Sequence, residues 1–277
     1  MKVRPMNVRA LVITGNGTNC EREMAHACRL AGAEADIAHI SQIFGGEIRL
    51  ADYHFLNLPG GFLDGDDLGS AKAGAVRFKY GTVADAPARR FLDDLLAFVD
   101  DGKLVLGVCN GFQLLVKLGL LPGTGANRLD AEASLTHNAS GRFEDRWVYL
   151  SVDPASPCVF TKGMDRLYVP VRHGEGKFVP RDAAALERIL SQKLVPVRYT
   201  DPQGNPTRDY PWNPNGSDEA IAGLCDATGR VFGLMPHPEA YLHRTNHPRW
   251  TREDLPEEGQ GLAVFRNGVE YLRARFG

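Results

Sequence analysis

Midway along the chain, the sequence changes from a strand pattern to a helix pattern within about five residues. Residues 104–106 are apolar and follow Gly102-Lys103, which is typical of a buried parallel strand near its end. Gly-Val-Cys-Asn-Gly comes next at 107–111, and helical spacing of apolar residues begins at Phe112. Glycines two residues either side of Cys109 relieve the crowding of a sharp strand-to-helix turn. The helix N-terminus favours the negative charge of a thiolate. Two interpretations fit, a nucleophilic cysteine or a buried cysteine beside a tight turn.

Composition and charge exclude several classes of protein. The 277 residues are 43% hydrophobic and 24% charged, with a formal net charge of -2, so a large core is expected and a basic nucleic-acid surface is not. No apolar run is long enough to span a bilayer, and the first residues lack the apolar core of a signal peptide. Five scattered cysteines without a Cys-x-x-Cys pair indicate reduced thiols, neither a disulfide framework nor a zinc site, and a cytoplasmic location.

The order of predicted elements favours an α/β fold. A strand at 9–14, a helix at 20–31 with Thr18 or Asn19 as its cap, and a strand at 35–40 form a βαβ opening. Further predicted elements are a strand ending near Gly61, a helix at 88–100, strands at 147–152, 194–199, 221–225 and 231–235, and a closing helix at 260–276. We expect a three-layer fold with a mostly parallel sheet flanked by helices. With no repeat and no domain boundary, residues 1–277 are predicted to form a single domain, with a C-terminal extension at about 240–277.

A second turn signal is Pro59-Gly60-Gly61, at the end of the third predicted strand. Two glycines let backbone N–H groups point into a cleft, as an oxyanion requires, although a plain tight turn explains the same residues. The acidic loop that follows, at 64–67, lacks the spacing of a calcium loop and is predicted to be solvated.

A thiol nucleophile needs a base, and the base needs an orienting partner. His237 follows an apolar strand, lies between two prolines, and has Glu239 two positions later. In an extended segment, residues i and i+2 point to the same side, so Glu239 is expected to reach the imidazole of His237. The alternative is a proline-rich loop with a chance carboxylate. Together with Cys109, a Cys/His/Glu triad is the more economical interpretation, since each candidate ends a predicted strand, where open α/β sheets place their sites.

These motifs resemble those of a known family. Residues 107–113 and 235–239 resemble class I, triad-type glutamine amidotransferases, which have a flavodoxin-like fold. More narrowly, residues 141–147, 169–176 and 213–217 are similar to the glutaminase subunits of phosphoribosylformylglycinamidine synthases.

The resemblance implies a role for each matching position. Cys109 would attack the side-chain amide of glutamine, His237 would act as base and then acid, and Glu239 would orient His237. Backbone N–H groups of Gly61 and Asn110 would form the oxyanion hole. The implied substrate contacts are Gln113, one helical turn after Cys109, and Asn138, Ser140 and Arg142.

The resemblance also implies partners. Ammonia would pass to a large synthetase subunit that uses ATP and Mg to convert formylglycinamide ribonucleotide to the amidine in de novo purine biosynthesis; the need for a small third subunit is left open. No cofactor or metal is expected in this chain, which has no Gly-x-x-x-x-Gly-Lys-Ser/Thr motif. The alternatives are a class I amidotransferase for another acceptor, a γ-glutamyl hydrolase, and a non-catalytic regulatory subunit.

Two segments depart from the family pattern. Residues 63–72 replace the usual Ser-Tyr-Gly-Asp with a longer, different loop, which affects the surface expected to face the partner. Residues 241–250 are longer than the corresponding part of short glutaminase subunits, and they are expected either to cover the site or to dock on the partner.

Overall fold

A mixed nine-stranded sheet forms the centre of the protein. The computed structural model describes residues 6–84 and 86–277. Its strands, in chain order, are β1 Arg9–Thr14, β2 Glu34–His39, β3 Phe55–Leu58, β4 Thr82–Val83, β5 Ala86–Arg90, β6 Leu104–Val108, β7 Ala133–His137, β8 Glu144–Val152, β9 Arg166–His173, β10 Glu175–Pro180, β11 Val197–Thr200, β12 Ile221–Cys225 and β13 Val231–Leu234. The order in the large sheet is β2-β1-β3-β6-β13-β12-β11-β8-β9, while β7 pairs with β10 and β4 with β5.

The sheet has a parallel half and an antiparallel half. From β2 to β13 all neighbours are parallel, and from β13 to β9 all neighbours are antiparallel. Every residue of β3 and β6 is buried, as expected for parallel strands covered on both faces. The α/β fold predicted from the βαβ opening is confirmed.

Helices flank this sheet in two groups. They are α1 Glu21–Leu30, α2 Ile40–Phe44, α3 Lys72–Tyr80, α4 Phe91–Asp100, α5 Asn110–Leu118, α6 Ala183–Ser191 and α7 Leu262–Phe276. Helix α1 contacts α7, whereas α3 contacts α4 and α5. Helix α5 also packs against β3, β6 and β13, so the parallel strands and α5 fix where the β6–α5 turn lies. Across residues 6–84 and 86–277, no helix combines the length and apolar character needed to cross a bilayer.

The predicted bounds coincide with the observed ones for two strands, whereas the predicted helix starts differ. The predicted strands at 9–14 and 221–225 have the observed bounds of β1 and β12. The predicted capping of α1 by Thr18 or Asn19 is wrong: Cys20 is the N-cap and makes no side-chain cap hydrogen bond, because the Asn19 Oδ1 atom accepts from the Cys20 thiol at 3.1 Å. The predicted helix at 88–100 begins only at Phe91, since residues 86–90 pair with β4.

The C-terminal tail packs on the antiparallel half of the sheet. The His247 ring is buried and lies 5.6 Å from Trp147, 5.3 Å from Tyr168 and 5.6 Å from Tyr241 between ring centroids. Arg249 lies over the Tyr168 ring at 5.2 Å. This part of the tail is therefore held by its own chain, and a role in covering the site or docking a partner stays a prediction.

Candidate active site

Cys109 occupies a strained turn between β6 and α5. Its φ of 52° and ψ of -104° lie in a region that non-glycine residues rarely adopt, and such strain clusters at functional sites. The turn is fixed by two backbone hydrogen bonds: the Cys109 N–H donates to Leu234 O at 2.8 Å, and the Gln113 N–H donates to Cys109 O at 3.0 Å. A side chain at Gly111 would place its Cβ 2.0 Å from Leu58 O, so a glycine is required there. The sharp turn predicted from the sequence is confirmed.

The side chains of His237 and Glu239 form a buried pair just after β13. The His237 N–H donates to Pro170 O at 2.8 Å, which ties the turn to β9. Its Nδ1 lies 2.6 Å from Glu239 Oε1, and both side chains are almost fully buried. Residues Pro238–Ala240 form a 3₁₀ turn. The predicted contact is therefore present, but the extended backbone predicted to produce it is wrong, because a tight turn brings the carboxylate to the ring.

The surroundings of His237 favour its charged form. Burial alone lowers the pKa of His237, but the Glu239 carboxylate and the neighbouring Cys109 and Cys20 thiols outweigh it and raise that pKa well above its ordinary value. In the neutral form of the ring, Nδ1 donates to the Glu239 carboxylate, so Nε2 carries the lone pair. Among the described residues, Nε2 is buried and makes no hydrogen bond. This is the tautomer that a base for the Cys109 thiol requires.

A cavity of about 310 Å³ opens at this turn. The absence of a side chain at Gly60 leaves room for both His237 and Cys109. A Cβ at this position would lie 2.7 Å from His237 Cε1 and 3.4 Å from Cys109 Cβ. The cavity wall includes Asn19, Cys20, Glu23, Gly61, Asp66, Cys109, Gln113, Phe143, Arg172, His173, Glu175 and His237.

The two residues predicted for the oxyanion hole lie beside Cys109. Gly61 lines the cavity with a φ of 131°, and its bridge to Thr18 holds it there. Asn110 is the first residue of α5, where a backbone N–H has no partner inside the helix. The Asn110 side chain is occupied, since it accepts from the Leu63 N–H at 3.2 Å and donates to Gln113 Oε1 at 3.0 Å. Their role towards an oxyanion stays a prediction.

The predicted substrate contacts divide into two groups. Gln113 lines the cavity and donates to Glu175 O. Asn138 lies behind it, where its amide donates at 2.8 Å both to Arg142 O and to His173 O. Ser140 and Arg142 line a different cavity, of about 390 Å³. The structure does not bring Asn138, Ser140 and Arg142 to the catalytic cavity, because Asn138 is used to join the turn after β7 to the end of β9.

Several cavity residues were not singled out from the sequence. Arg172 and His173 end β9, Glu175 begins β10, and Cys20 is the N-cap of α1. Burial and the nearby charge of His237 lower the pKa of His173 to about 3, so it is neutral. The available signal was the polar His-Gly-Glu-Gly run that directly follows an apolar strand, a pattern that marks a strand end facing a cleft.

Comparison with known proteins agrees with this geometry. The model of the CobB/CobQ-like glutamine amidotransferase domain family matches residues 7–272. A solved structure, PurLQS from Thermotoga maritima, contains a chain that is 30% identical and superimposes with a TM-score of 0.68, covering 96% of this chain and 100% of that one. The chain thus has the fold of a glutamine amidotransferase and belongs to that class.

Curated relatives narrow the family. Phosphoribosylformylglycinamidine synthase subunit PurQ of Dehalococcoides mccartyi is 43% identical over 268 residues, which are 96% of this chain and 98% of that protein. Phosphoribosylformylglycinamidine synthase of Dictyostelium discoideum is 38% identical over 236 residues, 83% of this chain but 17% of that longer protein. The chain belongs to the PurQ family.

Proposed function

We propose that this chain hydrolyses L-glutamine to glutamate and ammonia through a thioester on Cys109, and that the ammonia is used by a synthetase partner to make formylglycinamidine ribonucleotide. The observation that carries this proposal is the strained Cys109 turn beside the buried His237–Glu239 pair, in a chain of the PurQ family.

The substrate site has the charges that an amino acid requires. Arg172 brings a cation to the cavity wall, and its Nε atom is buried without a partner in the described part of the chain. Glu23, Asp66 and Glu175 bring carboxylates to the same wall. Arg172 is suited to the α-carboxylate of glutamine and the acidic residues to its ammonium group, and Gln113 lines the same cavity. The volume falls within the range of small-molecule pockets.

Acylation begins with proton transfer from the Cys109 thiol to Nε2 of His237, and the thiolate attacks the side-chain amide carbon. The developing oxyanion is stabilised by the backbone N–H groups of Gly61 and Asn110. His237 then gives the proton to the departing nitrogen, which leaves as ammonia, and a γ-glutamyl thioester remains. Glu239 stabilises the imidazolium formed between these steps.

Deacylation uses the same groups in reverse roles. A water molecule replaces ammonia, His237 removes its proton, and the hydroxide attacks the thioester carbon. Collapse of the intermediate returns the sulfur of Cys109 with its proton and releases glutamate. The sum is one glutamine and one water converted to glutamate and ammonia.

The acceptor chemistry is assigned to other chains. The relative from Dehalococcoides mccartyi is named a subunit, and in Dictyostelium discoideum the related segment is 17% of a chain named as the whole synthase. The sequence carries no phosphate-binding glycine loop. These facts support a large synthetase subunit that binds formylglycinamide ribonucleotide, ATP and Mg, and the name PurLQS supports a third component. Free, buried cysteines support a cytoplasmic location.

The test separates the two half-reactions. In the reconstituted complex, Cys109→Ala is expected to abolish glutamine-dependent synthesis while synthesis from ammonium salt at high pH continues, because free ammonia needs no thioester. Cys28→Ala, a buried cysteine of α1 outside the cavity, is the matched control and should retain both activities. Loss of both activities in a correctly assembled Cys109→Ala complex would refute the division of labour.

A further inference from the structure

Cys20 gives the catalytic cavity a second thiol that the proposed mechanism does not use. The side chain is 4% exposed and lines the cavity. Its Sγ lies 3.9 Å from Nδ1 of His237, the nitrogen that faces Glu239, whereas Cys109 is served by Nε2. The Cys20 thiol thus lies beside Nδ1, whose hydrogen bond to Glu239 orients the ring, and not beside Nε2, which would take the proton from Cys109.

Three donor atoms of different chemistry meet at this point. Cys20 Sγ, His237 Nδ1 and a Glu239 carboxylate oxygen all lie within 4.8 Å of one another, and all three residues are buried. In addition, Glu239 Oε2 is buried and has no hydrogen-bond partner among residues 6–84 and 86–277. An unsatisfied carboxylate oxygen is costly to bury, and it is a ready ligand next to a thiol and an imidazole.

Thiolate, imidazole and carboxylate together are the ligand types that zinc prefers, and a site with three protein ligands keeps the fourth position for water. We propose that Cys20, His237 and Glu239 form a binding site for Zn²⁺ or a similar thiophilic divalent cation, whose fourth position opens to the cavity. No metal was expected from the sequence, in which Cys20 and His237 are 217 positions apart.

All three separations between the donor atoms must adjust to accept the ion. Tetrahedral zinc with bonds of about 2.0–2.3 Å holds its ligand atoms roughly 3.3–3.6 Å apart. The 2.6 Å contact between Nδ1 and Oε1 must open, and the 3.9 Å contact between Sγ and Nδ1 must shorten slightly. The sulfur and the carboxylate oxygen, which lie within 4.8 Å of each other, must also approach. As the ion binds, the Cys20 thiol loses its proton to solvent and the proton displaced from Nδ1 is taken up at Nε2, so that the imidazole stays neutral.

Binding has a consequence for catalysis. The ion takes Nδ1, so His237 loses its hydrogen bond to Glu239, and a cation next to the ring opposes formation of the imidazolium. Glutamine hydrolysis should stop while acceptor chemistry in the partner continues. Inhibition rests on the proposed function, whereas binding of the ion does not.

Binding is tested with Co²⁺ as an optical probe in the Cys109→Ala background, which removes the rival catalytic thiol. A thiolate-to-cobalt charge-transfer band in the near ultraviolet is expected in this variant, and it should persist when Cys28 is also replaced by alanine. The band should vanish in Cys109→Ala/Cys20→Ser, where a hydroxyl of similar size replaces the thiol. Circular dichroism confirms that each variant is folded, and Glu239→Gln should weaken Co²⁺ binding in the same assay. A band that survives Cys20→Ser, or no band in Cys109→Ala, overturns the proposal.

Inhibition is measured on the complete complex. Zn²⁺ is expected to inhibit glutamine-dependent synthesis reversibly, to leave ammonia-dependent synthesis unaffected, and to lose at least tenfold in potency in Cys20→Ser when each variant is compared with its own uninhibited rate. Equal potency in wild type and Cys20→Ser would show that zinc acts elsewhere, and it would overturn the inhibitory role while leaving the glutaminase assignment standing.

Discussion

Gly60→Ala should disable catalysis without unfolding the protein. Gly60 does not have a positive φ, so alanine fits its backbone conformation, but the new Cβ would lie 2.7 Å from Cε1 of His237. Carbon atoms normally approach to about 3.5–4.0 Å, so the imidazole must move by about 1 Å. A displacement of that size costs roughly 100-fold in rate, equivalent to about 2.7 kcal/mol in the activation barrier.

The assay is steady-state glutamine hydrolysis by the reconstituted complex, with ammonia-dependent synthesis measured in parallel. The loss should appear in kcat for glutamine, and the ammonia-dependent rate should not change. Gly268→Ala is the matched control: this glycine lies in α7, outside the cavity, and its new Cβ would approach Phe160 only to 3.2 Å. A folded Gly60→Ala enzyme with a wild-type rate would show that the position of the His237 ring does not limit glutamine hydrolysis.

Three further predictions concern stability. The pKa of His237 is raised in the folded protein. The pairing of His237 with Glu239 therefore stabilises the fold fully below about pH 6.5, the pKa of an unfolded histidine. This stabilisation is lost as the pH rises through the raised pKa of the folded state. The stability lost in Glu239→Gln, from urea unfolding at a series of pH values, should therefore shrink as pH rises, and a loss that grows with pH would contradict the assignment. The pKa of His173, about 3 when folded, predicts that stability falls as pH drops below about 6.5, by up to about 1.4 kcal/mol per pH unit. His173→Gln should remove that part of the acid slope, and an unchanged slope would count against a buried neutral imidazole. Asp182→Ala removes the N-cap of α6, whose carboxylate accepts from the Ala185 N–H at 2.7 Å. Unfolding should become easier by about 1 kcal/mol with glutamine hydrolysis unchanged, and an unaltered midpoint would show that the cap is redundant.

The sequence alone determined the features that depend on neighbouring residues. Strand β12 was predicted with its observed bounds, since an apolar run is a local signal. The turn at Cys109 was predicted because its glycines and the patterns on either side lie within one short stretch. The pairing of Glu239 with His237 was also predicted, two residues apart, although the turn that produces it was not.

Elements without a strong local pattern were missed. Helix α3 begins at Lys72, directly after a segment predicted as a polar loop, and its N-cap Ala71 has a φ of 56° with no side-chain cap. The helix has glycine in its interior and no capping box, so its formation depends on packing against α4 and α5. Tertiary contacts can override weak helix propensity, and no short-range rule detects them.

The composition of the cavity was decided by the tertiary structure. The sheet order places β6 beside β13 and β9 at the far edge, yet the backbone N–H of His237, just after β13, donates to Pro170 O of β9. Arg172 at the end of β9 and Cys20 before α1 line the same cavity, whereas Arg142 lines another. The physical reason is that these neighbours are separated by long stretches of chain, so their proximity depends on how strands pair and loops close, and no periodicity or motif in the sequence encodes that distance.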